Sequence, residues 1–216
     1  MNNQIKERPI LFSAPMIRAL LDGRKSQTRR IAKVTDDGCK PGMITPLVGF
    51  TPRNIANHIS YCPYGKIGDR LWVRETFCIV DDTEFGGDKW IDYRATPRYS
   101  ESHPAGWENE PKNTEALKWK PSIHMPRWAS RILLEITNVS VERLNDISEE
   151  DAVLEGIEPE PGTSHWKNYD TLPGGWRYLE SPIQSYRTLW ESINGQGSWN
   201  LNPFCWVIEF RRILTR

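Results

Sequence analysis

Between Gly23 and Arg30 the chain reads Gly-Arg-Lys-Ser-Gln-Thr-Arg-Arg, which sets Lys25 and Thr28 three residues apart among arginines. A neutral threonine hydroxyl is a poor nucleophile, and an unprotonated amine beside it can take its proton as attack begins. Lysine reaches that form near neutral pH only when its pKa is lowered, which burial and the charges of Arg24, Arg29 and Arg30 both promote. Arg30, or a backbone N–H near Gly23, suits the stabilisation of a carbonyl oxygen under attack. The same residues also have plainer uses: Lys25 facing solvent past a helix end, Thr28 pairing with backbone, Arg30 in an ion pair.

Charge is segregated around this run. Residues 1–33 carry eight Lys and Arg against Glu7 and Asp22, a net +6, while residues 142–160 carry eight acids against Arg143, a net −7. Such asymmetry can hold an anion at one point and supply a proton donor or acceptor at another. It can equally cancel in internal ion pairs. A second candidate surface is Arg127-Trp128-Ala129-Ser130-Arg131, where an indole between two guanidinium groups suits stacking on a base with phosphate or carbonyl contacts. Trp72, on a predicted strand, is a further candidate for stacking.

Overall balance excludes some classes. The chain has 216 residues, with 28 Lys and Arg against 28 Asp and Glu, so it is not a uniformly basic nucleic-acid-coating protein. Mean hydropathy is −0.60, yet ten Trp, seven Tyr and six Phe provide material for an aromatic core or a ring-lined site. No run of 18 apolar residues and no signal-peptide pattern occur, which predicts a soluble cytoplasmic protein without a membrane partner. Cys39, Cys62, Cys78 and Cys205 lack metal-ligand spacing, and His58, His103, His124 and His165 are isolated. No metal, cofactor or evident protein partner is therefore expected, and no Ser-His-acid arrangement stands out.

Positioning elements follow from local pattern. Ser13, Pro15 and Gly23 bracket a short helix through Met16–Leu21. Gly68-Asp69 turns into an alternating strand from Arg70, and another short strand is expected at Trp90–Tyr93. Ser130 to Leu144 predicts one or two strands bent near Asn138. Ser148 with Asp151 three residues on predicts a short helix that Gly156 ends. Ile183 to Ile193 has helical spacing, and Phe204, Trp206, Ile208 and Phe210 alternate with Cys205, Val207, Glu209 and Arg211 as a strand. Glycine and proline make 34–66, 81–122 and 157–182 read as insertions on a single domain spanning 9–214. A mixed α/β fold, mainly β, is expected, either a small barrel or an open sheet.

The run Gly23 to Arg30 resembles the signature of the ASCH family of PUA-like domains. Four later stretches resemble the family in order: Gly68-Asp69-Arg70-Leu71-Trp72-Val73, the strand from Ile136 to Leu144, Ala152-Val153-Leu154-Glu155-Gly156 and Trp206-Val207-Ile208-Glu209-Phe210. The resemblance implies a closed or nearly closed PUA-like β-barrel with flanking short helices, long loop insertions and a cleft for RNA or a modified nucleoside. Similar chains occur in phages and prophages, which implies a host-cytoplasmic setting. One branch of the family hydrolyses N4-acetylcytidine, and its proposed catalytic residues match Lys25, Thr28 and Glu155 here. Thr28 in place of the Glu common at that position favours this branch, while the greater length departs from it. The expected activity is hydrolysis of an N4-acyl cytosine amide, an amidohydrolase reaction on a non-peptide C–N bond. Glu155 would orient the substrate amine or deliver a proton to the leaving cytosine, and Arg24, Arg30, Trp72, Arg127, Trp128 and Arg131 would contact ligand. The alternatives are recognition of RNA or a modified base without turnover, and a phage assembly or host-interaction role.

Overall fold

Alternating runs of β-branched and aromatic residues build the centre of the sheet. In the computed structural model, which describes residues 4–34, 43–44, 62–81, 83, 88–98, 118–170 and 179–213, the longest strands are β8 (Leu133–Arg143) and β9 (Phe204–Ile213). They pair antiparallel, and between Ile136 and Asn138 the register slips so that Thr137 has no partner. That bulge is the bend expected near Asn138, and it lets one long strand curve instead of breaking into two. On β9 both faces are buried between Cys205 and Ile208. The sequence alternation there marks an interior strand covered on each side, not one with a wet face.

Three further strands complete the main sheet: β1 (Glu7–Leu11), β2 (Gln27–Ile31) and β5 (Arg70–Arg74). Its order is β1-β5-β8-β9-β2, with β1 parallel to β5 and the other pairs antiparallel. The short strands β3 (Lys33–Val34) and β4 (Met43–Ile44) pair with each other, as do β6 (Phe77–Asp81) and β7 (Lys89–Tyr93), which contains the strand expected at Trp90–Tyr93.

The expected closed or nearly closed barrel is not what forms. β1 and β2 end up as the two edges of an open sheet with no backbone ladder between them. β1 leads through Phe12 and Ser13 into helix α1 (Ala14–Leu21), and the Arg30 side chain, not a main-chain ladder, links β2 to the Leu11 carbonyl. The mixed α/β character holds, with β1 and β2 left as unjoined edges.

Helix α1 starts at Ser13 and carries Pro15 in its first turn, where a missing N–H costs nothing. Gly23, at φ +76°, ends the turn after it. Ser13 occupies the cap position without using its hydroxyl as a cap. In α2 (Glu149–Leu154), by contrast, Ser148 Oγ accepts from the Asp151 N–H at 3.1 Å. Helix α3 (Pro182–Asn194) is capped by Ser181 and packs against α2. Its inner face adds Tyr186, Leu189 and Trp190 to the core, which is centred on Trp206, Ile208, Leu134, Ile136 and Ile17. Each such fully buried side chain contributes about 1.5–3 kcal/mol.

Most of 34–66, much of 81–122 and residues 171–178 of the third expected insertion lie outside the described residues, as do Cys39, His58 and His103. Among the described residues, no helix is long and apolar enough to cross a membrane.

Candidate active site

Lys25 is drawn inward by the way α1 ends. After Gly23 the N–H groups of Arg24 and Lys25 both return to the Ala19 carbonyl, at 2.9 and 3.1 Å. Ser26 then donates to Leu154 O at 3.0 Å and accepts from Phe210 N at 2.8 Å, so the start of β2 is sewn to both α2 and β9. Gly156 completes the joint. It lies at φ +89°, and a Cβ on it would stand 2.9 Å from the Cβ atoms of both Ala19 and Lys25. Only glycine allows the turn after α2 to press this closely on Lys25.

At that joint the Lys25 ammonium donates to Gln27 O at 2.7 Å, Glu155 O at 2.6 Å and Glu155 Oε2 at 3.0 Å. The side chains of Lys25 and Glu155 are 2% and 4% exposed, so this is a fully buried ion pair. Burial lowers the Lys25 pKa below its ordinary 10.5, and Glu155 restores only part of the loss. Arg29 lies beside them, bonded to Glu142 at 2.9 Å, Asp151 at 3.1 Å and Glu155 at 3.5 Å. Burial opposes its charge too, but Glu155 and the other acids outweigh that and raise its pKa. With its amide oriented by these neighbours, Gln27 donates to Asp151 and accepts from Arg29. Tyr186 is buried here as well and is held well above the ordinary phenol range, first by burial and then by Glu155.

Above this network opens a cleft of about 390 Å³, lined by Lys25, Thr28 and Glu155 together with Phe12, Tyr64, Tyr186 and Trp190. It sits against the unjoined edges of the sheet, with Leu11 of β1 and Ile31 of β2 at its exposed rim. Its size falls within the roughly 300–1,000 Å³ range of small-molecule sites. Thr28 is buried, and among the described residues no hydrogen bond engages its hydroxyl. On β2 it shares a face with Arg30, because side chains two apart point the same way. The arrangement offers a buried amine, a carboxylate and an unengaged hydroxyl beneath a ring-lined opening.

Four of the expected residues, Lys25, Thr28, Arg30 and Glu155, line this cleft, and five do not. Arg24 bonds Gly156 O, Ile157 O and Asp22. Trp72 is buried in β5 with the Arg74 guanidinium 4.8 Å from its ring centroid. Arg127 pairs with Glu7, and Arg131 pairs with Glu75 while stacking over Tyr93. Trp128 is 68% exposed on a short 3-10 turn.

The sequence reading missed Phe12, Tyr64, Tyr186 and Trp190. Phe12 and Ser13 precede a visible helix start, and Tyr186 and Trp190 lie on one face of a visible helix. No local signal turns that face toward Lys25.

Among the described residues, no group of His, Cys, Asp and Glu is placed to hold a metal ion. Cys62, Cys78 and Cys205 are buried free thiols, and burial pushes Cys78 and Cys205 up to about 11 and about 12. No protein family, curated protein or solved structure matches this chain.

Proposed function

We propose that this cleft is the active site of an amidohydrolase that cleaves the N4-acyl amide of a modified cytosine nucleoside such as N4-acetylcytidine. The observation that carries the reading is the meeting of Lys25, Thr28 and Glu155 at one cleft, with Lys25 and Glu155 130 positions apart in the chain. A buried ion pair is a poor way to stabilise a fold. Beneath an open cleft that Thr28 also lines, it supplies what acyl transfer needs. The ASCH resemblance supports the same three residues.

In the reaction, neutral Lys25 takes the Thr28 proton, the hydroxyl oxygen bonds to the acyl carbon, and the carbonyl π pair moves onto its oxygen. To face Thr28, Lys25 gives up one of its three present hydrogen bonds, and the ammonium that forms keeps the other two. Collapse of the oxyanion breaks the C–N bond, and the departing cytosine amine receives the proton from Lys25 while Glu155 holds both groups. Water then attacks the threonyl ester by the same route, which releases the carboxylic acid and restores the hydroxyl.

A second reading, recognition of a modified base or RNA without turnover, is favoured by one observation. In the ammonium form every N–H of Lys25 has a protein acceptor, and no lone pair is available. Incubation of the purified protein with N4-acetylcytidine separates the two. The expected outcome is release of acetate and cytidine, with Lys25→Ala and Thr28→Ala each slowing it about 10²- to 10⁴-fold in folded protein. Tight binding with no turnover of any N4-acylated cytosine would leave the recognition reading.

A further inference from the structure

We propose that the amino terminus of α1, with Ser13 and Arg30, forms an oxyanion-binding subsite within the cleft. Ser13 stands at the helix start with φ −74° and ψ 161°, its carbonyl accepts from Ile17 N at 2.9 Å, and its hydroxyl makes no capping bond. No acidic residue lies in the first turn to neutralise the positive end of the helix. Ser13 and Met16 both line the cleft, so this end of the helix opens into it.

The neighbouring cation points the same way. The Arg30 guanidinium bonds the Leu11 carbonyl and lies 5.2 Å from the Phe12 ring centroid, against the two residues that lead into Ser13. Among the described residues Arg30 has no carboxylate partner, unlike Lys25 and Arg29, the other cations of the cleft. Independently of the helix, Thr28 is 4% exposed in the same cleft, on the same face of β2 as Arg30, and among the described residues none bonds its hydroxyl. Among the described lining residues Glu155 is the only acid, and it is already bonded to Lys25 and Arg29. The space between α1 and β2 is therefore rich in donors and poor in acceptors, which selects a small oxyanion such as a carboxylate, a phosphate or the negative oxygen of a tetrahedral adduct.

The catalytic half of this inference rests on the amide-hydrolysis reading; the anion-binding half does not. Two measurements keep them apart. With acetate and inorganic phosphate as probes, binding followed by NMR titration should weaken at least tenfold in Ser13→Ala and Arg30→Gln. With N4-acetylcytidine, Ser13→Ala should lower kcat about 10²-fold at unchanged KM, the pattern of a donor used only in the transition state. Ser13→Thr should restore it. The Tm of Ser13→Ala should stay at the wild-type value, because the hydroxyl caps nothing. Ser13- and Arg30-dependent anion binding without any turnover keeps the subsite and removes the hydrolysis reading. Turnover that is indifferent to Ser13, together with anion binding indifferent to Ser13 and Arg30, overturns the subsite and leaves hydrolysis in place.

Discussion

Lys25 is held between opposed effects, and their balance sets its use. Burial lowers its pKa, while the charge and hydrogen bond of Glu155 raise it, and burial wins. A base works unprotonated, so the rate should rise with pH around a midpoint below 10.5. Glu155→Gln removes the leading influence that raises the pKa. The midpoint of the pH–rate profile should then move to lower pH, even as the plateau falls. An unmoved or raised midpoint would show that Lys25 is not the titrating base. Stability carries the same sign. Between its lowered folded pKa and 10.5, Lys25 binds more protons unfolded than folded, so stability should rise with pH across that window. Lys25→Met should flatten the rise, as denaturant unfolding at several pH values would show.

Helix α2 and the turn after it bring Glu155 to Lys25, and Gly156 controls that approach. Any L-residue at φ +89° is strained, and here its Cβ would also strike Ala19 and Lys25. Gly162 is the matched control, at φ +75° with no atom of the described residues within 4 Å of an added Cβ. Gly162→Ala should cost roughly 1–2 kcal/mol for backbone strain alone. Gly156→Ala should cost about 1–3 kcal/mol more, for overpacking, and should also lose activity because Lys25 and Glu155 are pushed apart. Equal unfolding free energies for the two variants would argue against the close joint. The stop at Gly156 and the start at Ser148 were readable in the sequence because capping is local. The contact of that turn with Lys25 leaves no local signal, since it joins residues 130 apart, and only the family resemblance set Glu155 with Lys25. Ser13 shows the limit from the other side: its position at the helix start was legible, but its unused hydroxyl was not.

Across the whole molecule, the open sheet explains both the cleft and the failure of the barrel expectation. Strand identities were legible from alternation, whereas closure depends on whether β1 and β2 meet, and among the described residues a side-chain bond from Arg30 crosses there in place of a ladder. The charge asymmetry of the sequence is likewise largely spent inside the fold. Arg29 takes Glu142 and Asp151, Lys25 takes Glu155, and Arg24 lies 3.6 Å from Glu158. Arg127 and Arg131, which flank the exposed Trp128, are paired with Glu7 and Glu75. Paired cations release few counterions when a polynucleotide arrives. If a single strand enters the cleft, Arg30 is the lining cation left to meet a phosphate, and each phosphate contact contributes a slope of about −0.7 in log K against log salt. Affinity for a short cytosine-containing RNA should therefore show a slope of about −0.7. Trp128→Ala should leave N4-acetylcytidine binding unchanged, while Tyr64→Leu should weaken it by about 1–3 kcal/mol if the ring stacks on the base. A slope of −3 or steeper, together with loss of binding in Trp128→Ala, would place the ligand on the Arg127–Arg131 face instead of in the cleft.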